Sequence, residues 1–457
     1  MTEFSDLPLR PELFQGLDAL GHVQMTPVQA QSLPALIEGR DLVAQAPTGS
    51  GKTAAFGLAL LHRLDPAQIR LQALVLCPTR ELADQVGKHI RKLATGIANL
   101  KLLTLTGGVA LGPQIASLEQ HAPHVVVGTP GRLQELLRKK ILDLRGVRVL
   151  VLDEADRMLD MGFEEPIREI VGKTPKARQT MLFSATFAEA IRAVAGGLLR
   201  DPVKVTVAAP ARAAIEQCFF TVEPALKPAA LAGLLLQRRP ESAVVFCNMR
   251  RDTEEVVSSL SHLGFSALAL HGDMEQRDRE EVLVQFANRS CNVLVASDVA
   301  ARGLDIEDLA AVVNYDVPHD ADTYTHRIGR TGRAGRDGLA LTLCTPRELP
   351  RLQILEAATG GSIRTQPAPL ANLRPKSAPA AGMASLRIDA GRSDKLRPGD
   401  IVGALTGEAG LPVAALGKID IFATRSYVAI QRASVKQALA KLQAGKIKGR
   451  KFRVRAL

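Results

Sequence analysis

The sequence predicts an α/β protein in which two tandem parallel-sheet domains are followed by a small α+β domain. Three observations carry this. Short aliphatic runs alternate with longer helical patterns: Ala73–Cys77, Val125–Val127, Val149–Leu152 and Met181–Phe183, then Ala243–Cys247, Val293–Ala296 and Val312–Tyr315. That is the rhythm of parallel strands joined by crossover helices. It occurs twice within 457 residues, with a join near residues 205–215, a length that suits three domains of roughly 150 residues each. Finally, composition shifts at Ser362–Met383, where Pro367, Pro369, Pro375 and Pro379 stand among alanines. This reads as an extended linker with few contacts crossing it. The expected divisions are 1–208, 209–361, the linker 362–383, and 384–457.

A hydrophobic fraction of 46% and a charged fraction of 23% exclude a largely disordered or fibrous chain. No run approaches the ~18 apolar residues of a membrane span. Met1–Leu20 is broken by Glu3, Asp6, Pro8, Arg10, Pro11, Glu12 and Asp18, so no secretory leader or membrane partner is expected and a cytoplasmic location is. The five cysteines lie far apart with no C-x-x-C pair, which argues against zinc or redox chemistry; Cys77 and Cys247 end apolar runs and read as buried small hydrophobes. The net charge of +11 points to a polyanionic partner. Residues 361–457 hold 18 Lys and Arg against 5 Asp and Glu, leaving 40 against 42 for residues 1–360, so the whole excess lies in the tail.

In open parallel sheets, ligands bind beyond the carboxyl ends of the strands, and the polar motifs fall there. Ala46-Pro47-Thr48-Gly49-Ser50-Gly51-Lys52-Thr53 follows the strand-like Asp41–Gln45 and opens a helix at Thr53–Leu61. Glycines turn backbone amides toward phosphate oxygens, Lys52 reaches the β- and γ-phosphates, and Thr53 can hold Mg²⁺. Ala46 stands where G-x-x-x-x-G-K-[ST] has its first glycine. A Gly-rich turn with a solvated lysine is the bland alternative, disfavoured by the strand before and the helix after.

The run Val149–Leu152 ends in Asp153-Glu154-Ala155-Asp156. A strand-end aspartate is where a P-loop NTPase places its Mg²⁺ carboxylate, so Asp153 and Thr53 are candidate metal ligands and Glu154 the candidate base for the attacking water. A lone acidic cluster is usually a solvated loop; joined to Lys52, this one implies hydrolysis of a nucleoside triphosphate. Ser184-Ala185-Thr186 follows Met181–Phe183 and offers hydroxyls that could bridge the carboxylates to another domain. His326-Arg327-Ile328-Gly329-Arg330-Thr331-Gly332-Arg333 sets three arginines at spacings of three in the second domain, which has no P-loop. An arginine finger stabilises charge on the transferred γ-phosphoryl and contributes ~10³–10⁵ in rate. Arg330 and Arg333 are the candidates; for Arg327, a surface patch touching RNA stays open.

Together with Thr26-Pro27-Val28-Gln29, Pro78–Ala83, Gly107-Gly108, Thr129–Arg132, Gln276–Arg279 and Ala301–Asp305, these motifs resemble the DEAD-box RNA helicases over roughly residues 4–350. The resemblance implies two RecA-like domains that close on ATP and RNA together, with ATP and Mg²⁺ as cofactors. It implies an adenine pocket in which Thr26 and Gln29 sit at the base edge and Phe4 stacks on its face. Asp305 is implied to contact the ribose, and His326 to join Asp156, Ser184 and Thr186 in coupling the domains. Along RNA it places Thr79, Arg80, Gly107, Gly108, Thr129 and Arg132 in the first domain and Asn248, Gln276, Arg279 and Ser297 in the second. Hydroxyls, glycine amides and guanidinium groups suit phosphate and 2′-hydroxyl contacts, which carry no base information. With no Trp and three Tyr, the chain is poor in stacking platforms. His22, after Gly21, and Ser297, before Asp298, depart from the aromatic and the Thr common in the family.

From Ala384 the pattern reads strand (Ser385–Ile388), helix (Pro398–Thr406), strand (Ala415–Ile421), strand (Ser426–Ile430), helix (Ala433–Gln443) and strand (Lys451–Arg455). This βαββαβ order is that of an RNA-recognition-motif (RRM-like) domain. Tyr427 only partly matches its aromatic pattern, so RNA contact is expected at the basic edge, Lys446, Lys448, Arg450, Lys451, Arg453 and Arg455, with Arg387, Arg392, Lys395, Arg397 and Lys418 as further members. Arg397–Leu405 and Gly445–Gly449 resemble the C-terminal domain of the DbpA subfamily. That resemblance implies a hairpin of 23S ribosomal RNA and pre-50S particles as partners and a role in large-subunit assembly; a monomer is expected. The alternatives are a helicase for another structured RNA, a DNA helicase of similar architecture, or a protein that clamps RNA, with ATP as a gate, rather than unwinding it.

Overall fold

The computed structural model describes residues 3–47, 49–120, 122–187, 189–207, 215–301, 309–332, 337–359, 362–371, 378, 380–407 and 410–457. The chain divides into two compact units near residue 211, the second holding both the second parallel sheet and the antiparallel tail sheet.

The first unit is built on β1 (Leu42–Gln45), β2 (Ala73–Leu76), β3 (Leu102–Leu105), β4 (Val125–Gly128), β5 (Val149–Leu152), β6 (Gln179–Ser184) and β7 (Val203–Thr206). They pair in parallel in the order β3-β4-β2-β5-β6-β1-β7. Parallel sheets have both faces covered by crossover helices, which is why these strands are apolar throughout. In β5, Val149 and Val151 enter one core and Leu150 and Leu152 the other, as strand alternation requires. Cys77 is buried beside β2, and burial pushes its thiol well up, as befits a packing residue rather than a nucleophile.

In the second unit, β8 (Ile215–Thr221), β9 (Ala243–Cys247), β10 (Ala267–Leu270), β11 (Val293–Ser297), β12 (Ala311–Asn314), β13 (Gly338–Cys344) and β14 (Thr365–Pro367) form a parallel sheet in the order β10-β11-β9-β12-β13-β8-β14. The tail strands β15 (Met383–Ile388), β16 (Leu416–Ile421), β17 (Ser426–Gln431) and β18 (Val454–Ala456) pair antiparallel in the order β16-β17-β15-β18. Helices Pro398–Thr406 and Val435–Ala444 belong to the same βαββαβ unit, and its core holds Leu386, Ile388, Ile401, Leu405, Val428 and Leu442.

The linker departs from the expectation. It is extended, but β14 adds to the sheet beside β8, Ala368 N donates to Thr221 O at 3.0 Å, and Ala371 N donates to Ala229 O at 3.1 Å. Ala378 N then donates to Leu263 O at 2.9 Å. Among the described residues of this Pro/Ala segment, these backbone amides are met by the second domain, which holds them against itself as a strap. Contacts also cross from the tail sheet to the helix Gln276–Ala287: Arg387 to Glu281 and Arg425 to Glu280. A basic, Pro-rich boundary hid this because the partners are acidic residues 106 and 145 positions upstream. Among the described residues, no helix is long and apolar enough to cross a membrane.

The RNA-facing candidates Thr79 and Arg80 sit where the helix Arg80–Leu93 begins, and that helix packs on Glu12–Leu20. At the crossing, a Cβ on Gly16 would collide with the Leu93 carbonyl oxygen. Gly16→Ala therefore sets a helix-propensity gain of ~1 kcal/mol against an overpacking cost of about 1–3 kcal/mol. A backbone collision cannot relax by rotamer, so net destabilisation is expected; a urea midpoint equal to or above wild type would contradict this contact.

Candidate functional site

Strand order decides which motifs become neighbours. The segments after β1, β5 and β6, adjacent strands, bring the P-loop, Asp153–Asp156 and Ser184–Thr186 to one stretch of the carboxyl edge. The P-loop leaves β1, and Ala46 N donates to the Ser184 carbonyl at 3.0 Å. Gly49 and Gly51 have φ of 79° and 95°, the left-handed region open to glycine. The helix Lys52–Arg63 starts at once, directing its first amides toward a phosphate site. Lys52 is buried, its Nζ donating to Ala46 O at 2.9 Å, while Thr53 is half-buried at the helix start. Gln29, buried on the helix Pro27–Ile37, accepts from Thr26 N at 2.8 Å and donates to Gly51 O at 3.0 Å, which ties that helix to the P-loop. Ser50 Oγ and Thr26 Oγ1 are buried without a hydrogen-bond partner. Buried hydroxyls seldom go unpaired, and these two border the candidate phosphate and adenine positions.

At the end of β5, Asp153 is 3% exposed and its Oδ1 accepts from Glu154 N at 3.0 Å. Burial pushes its carboxyl up to about 7, against the attraction of Lys52; the neighbouring Glu154 and Asp156 charges push the same way as burial. Glu154 has a left-handed backbone, φ 51° and ψ 53°, immediately before the helix Ala155–Asp160. For a non-glycine residue this costs on the order of 1 kcal/mol or more, a strain found at functional sites. Its Oε2 lies 3.2 Å from Arg157 Nη1 but is not aligned for a hydrogen bond. Asp156 Oδ2 accepts from Ala185 N at 3.0 Å, Thr186 N at 2.9 Å and Thr186 Oγ1 at 3.2 Å, and Ser184 Oγ donates to Thr186 O at 2.6 Å. Arg157 was missed in the sequence; its i+3 spacing from Glu154 was the available signal.

The RNA-facing candidates of the first domain follow β2, β3 and β4, the other half of the same edge. Thr79 Oγ1 caps its helix by accepting from Leu82 N at 3.3 Å, and the Arg80 guanidinium lies against Gly107 and Gly108. Thr129 precedes the helix Pro130–Arg138. Arg132, buried on that helix, donates to Val109 O at 3.0 Å, and its Nη1 is buried without a partner. Phe4 lies in the first core at 3% exposure, its ring 6.5 Å from that of His22, rather than presenting its face to solvent.

The second domain repeats the layout, with Gln276 and Arg279 following β10, Ser297 ending β11 and Asn248 following β9. Arg279 donates to His271 O at 3.3 Å and Ala300 O at 3.4 Å. Asn248 has both amide ends engaged, Nδ2 donating to Val317 O at 3.0 Å and Oδ1 accepting from Arg327 at 2.7 Å. Arg327 resolves the question left open above. It is 2% exposed and ion-paired with Asp298 at 2.6 Å, and it donates to Asp316 O at 2.9 Å. It is a buried tie between strand ends and no surface patch, and no pattern in the sequence pairs it with Asp298 or Asp316. His326 is half-buried, and Arg330 is buried just past the helix Ala321–Ile328. Thr48, Asp305 and Arg333 lie outside the described residues.

On the tail, Lys446 is exposed. Lys448 donates to Lys395 O at 2.8 Å and stands 3.7 Å from Asp400, and Arg450 stands 3.6 Å from Asp394. Exposed pairs of this kind are weak, so these cations stay available to phosphate. Arg387 and Arg455, expected at the basic edge, instead face Glu281 at 3.0 and 3.6 Å.

Three families match the chain: DEAD/DEAH box helicase over residues 26–194, helicase conserved C-terminal domain over 226–335, and DbpA RNA binding domain over 385–456. It is similar to the ATP-dependent RNA helicase DbpA of Escherichia coli (strain K12), at 50% identity covering 100% of both chains. Similarity to the DEAD-box ATP-dependent RNA helicase CshA of Bacillus cereus is 42% over 81% of this chain and 70% of that one. Among solved structures, S. cerevisiae Dbp5 bound to RNA and ADP BeF3 is similar at a TM-score of 0.72 and 30% identity, covering 80% of this chain and 96% of that one.

Asp153 links the site to stability. Its folded-state carboxyl is raised above the ordinary 3.8, so the folded chain holds the proton longer than the unfolded one. Stability is lost as pH rises from about 4 to about 7 and stays lost above. Asp153→Asn should raise stability by about 1–3 kcal/mol at pH 8, with the gain vanishing below pH ~4. Urea unfolding at both pH values checks this; an equal effect at both would exclude the buried charge as its source.

Proposed function

The chain belongs to the DEAD-box ATP-dependent RNA helicases of the DbpA type, and from that premise we propose how its residues divide the work and which RNA it serves. It is an enzyme that binds ATP and RNA, with an RNA-binding C-terminal domain.

The P-loop amides of Ala46–Thr53 cradle the phosphates, Lys52 offsets their charge, and Thr26 and Gln29 hold the adenine end against Gly51. Asp153 and Thr53 would hold Mg²⁺, which they fit as hard oxygen donors, the one buried at a strand end and the other half-buried at the start of the P-loop helix. Bound there, such an ion would supply positive charge to offset that of the phosphates. Glu154, held in a strained backbone with one carboxylate oxygen unbonded, orients and deprotonates the attacking water. Arg330, with Arg333, stabilises the charge that develops on the γ-phosphoryl. Asp156, fixed by the Ser184–Thr186 turn, and His326 couple that step to the second domain. Asp305 takes the ribose. RNA backbone lies along Thr79, Arg80, Gly107, Gly108, Thr129 and Arg132, and along Asn248, Gln276, Arg279 and Ser297.

The tail selects the substrate through Lys446, Lys448 and Arg450, gripping a hairpin of 23S ribosomal RNA within pre-50S particles during large-subunit assembly. One observation carries the choice of edge over sheet face. Tyr427, the candidate stacking aromatic, is fully buried with its hydroxyl donating to Glu281 at 3.1 Å, whereas Lys446, Lys448 and Arg450 are exposed. The target itself follows from the resemblance of Arg397–Leu405 and Gly445–Gly449 to the subfamily.

Glu154→Gln is expected to lower RNA-stimulated kcat by about 10²–10⁴ while leaving ATP and RNA affinities within a few-fold, read by steady-state turnover and equilibrium titration. Near-wild-type turnover would remove Glu154 as the base. Replacing Lys446, Lys448 and Arg450 together by Glu should raise the concentration of the 23S hairpin giving half-maximal ATPase stimulation by about tenfold or more, with the rate at saturation little changed. The logarithmic salt dependence of hairpin binding should flatten by roughly 3. Unaltered preference for the hairpin over a scrambled control would move recognition elsewhere.

A further inference from the structure

The outward face of the tail sheet is occupied by the second parallel-sheet domain. Strand alternation sends Leu386, Ile388, Val428 and Ile430 into the tail core and leaves Ser385, Arg387 and Tyr427 on the other face. That face meets one acidic pair on the helix Gln276–Ala287. Glu281 accepts from Arg387 at 3.0 Å and from the Tyr427 hydroxyl at 3.1 Å, with Arg455 at 3.6 Å; Glu280 accepts from Arg425 at 2.5 Å. Beyond the helix end, Asn288 Nδ2 donates to Ser385 Oγ at 2.7 Å, and the hydroxyls of Ser290 and Ser385 share a 2.7 Å hydrogen bond. Below, Arg432 donates to the strap at Ala381 O at 2.7 Å.

Two features separate this from incidental surface pairing. The Glu281 carboxylate is 18% exposed, accepts hydrogen bonds from two strands and faces the Arg455 guanidinium of a third, and the Arg425 side chain is 9% exposed. Charge-assisted bonds at such burial are stronger than exposed pairs. The same helix also carries Gln276 and Arg279 in its first turn, both of them RNA-facing candidates. A helix is rigid over this distance, so whatever seats on Glu280 and Glu281 is held in register with Gln276 and Arg279.

We propose that Glu281, seconded by Glu280, is a positioning residue: it seats the RNA-binding domain on the second domain so that RNA gripped by the tail's basic edge is presented to the core in one orientation. A free linker would raise only the local concentration of RNA; a seated domain also fixes direction. The proposal rests on the reading of the tail as the targeting domain.

The test compares the full chain with Glu281→Arg, the conservative Glu281→Asp, and the charge swap Glu281→Arg with Arg387→Glu. Single-molecule FRET between dyes at Arg239 and Ala444, both exposed, reads domain seating without RNA. ATPase titrations with poly(U) and with the 23S hairpin read the consequence. Wild type and Glu281→Asp should give one narrow FRET population, Glu281→Arg a broad one, and the swap should narrow it again. Glu281→Arg should keep poly(U)-stimulated kcat within about twofold and nucleotide-free hairpin binding within about twofold, while hairpin-stimulated ATPase needs about fivefold or more RNA for half-maximal rate. The swap should restore the wild-type value, which a merely destabilising substitution would not allow. Unchanged FRET in Glu281→Arg would overturn the proposal, as would tighter hairpin binding, which would mean that the glutamates mask an RNA site. If wild type shows no preference for the hairpin, the proposed target fails, and the FRET comparison still decides the seating.

Discussion

The chemistry of the first domain depends on the burial of one unfavourable charge. Asp153 sits at the end of a strand covered on both faces, where water cannot solvate its carboxylate, and even Lys52 does not return its carboxyl to the ordinary range. A group so placed gains from any cation brought to it, which is what the proposed metal-holding role of Asp153 needs. The strain on Glu154 and the unpaired hydroxyls of Ser50 and Thr26 belong with it. Each is a local cost, borne by two well-packed cores on either side of the sheet.

Parallel topology then sets the layout. Because every strand ends on the same edge, the order β3-β4-β2-β5-β6-β1-β7 lines up the RNA-facing candidates after β3, β4 and β2 and the nucleotide candidates after β5, β6 and β1. The second domain uses the same geometry with different chemistry. There the buried cation Arg327 is tied to Asp298, Asn248 and the Asp316 carbonyl, and it fastens together the strand ends at which Asn248 and Ser297 stand. Removing one partner of such a buried network leaves the other charge uncompensated, which costs more than the pair itself contributes.

The tail domain shows how a sheet face can be reassigned. An RRM-like sheet offers its outward face to bases when that face carries aromatics. Here the face carries Arg387, Tyr427 and Arg455 against Glu281, and the face that could have bound RNA binds protein. The linker follows the same logic, since β14 and the alanines after it satisfy their backbone on the second domain.

Much of this was legible in the sequence. The alternation of apolar runs and helical patterns located nearly every central strand, because a parallel strand must be apolar on both faces. The P-loop, Asp153–Asp156 and Ser184–Thr186 were identifiable because phosphate and carboxylate chemistry demands particular residues at short spacing. The βαββαβ order of the tail was legible for the same local reason. Strand order, the buried fate of Arg327 and the seating of Arg387 on Glu281 were not. Each depends on partners tens to more than a hundred residues away, and a guanidinium reads the same in sequence whether it will meet phosphate, solvent or a carboxylate. The sequence by itself determined which elements form and which groups could do chemistry. Only the tertiary structure decided which charges meet, because contact between distant residues is a property of packing and of no local pattern.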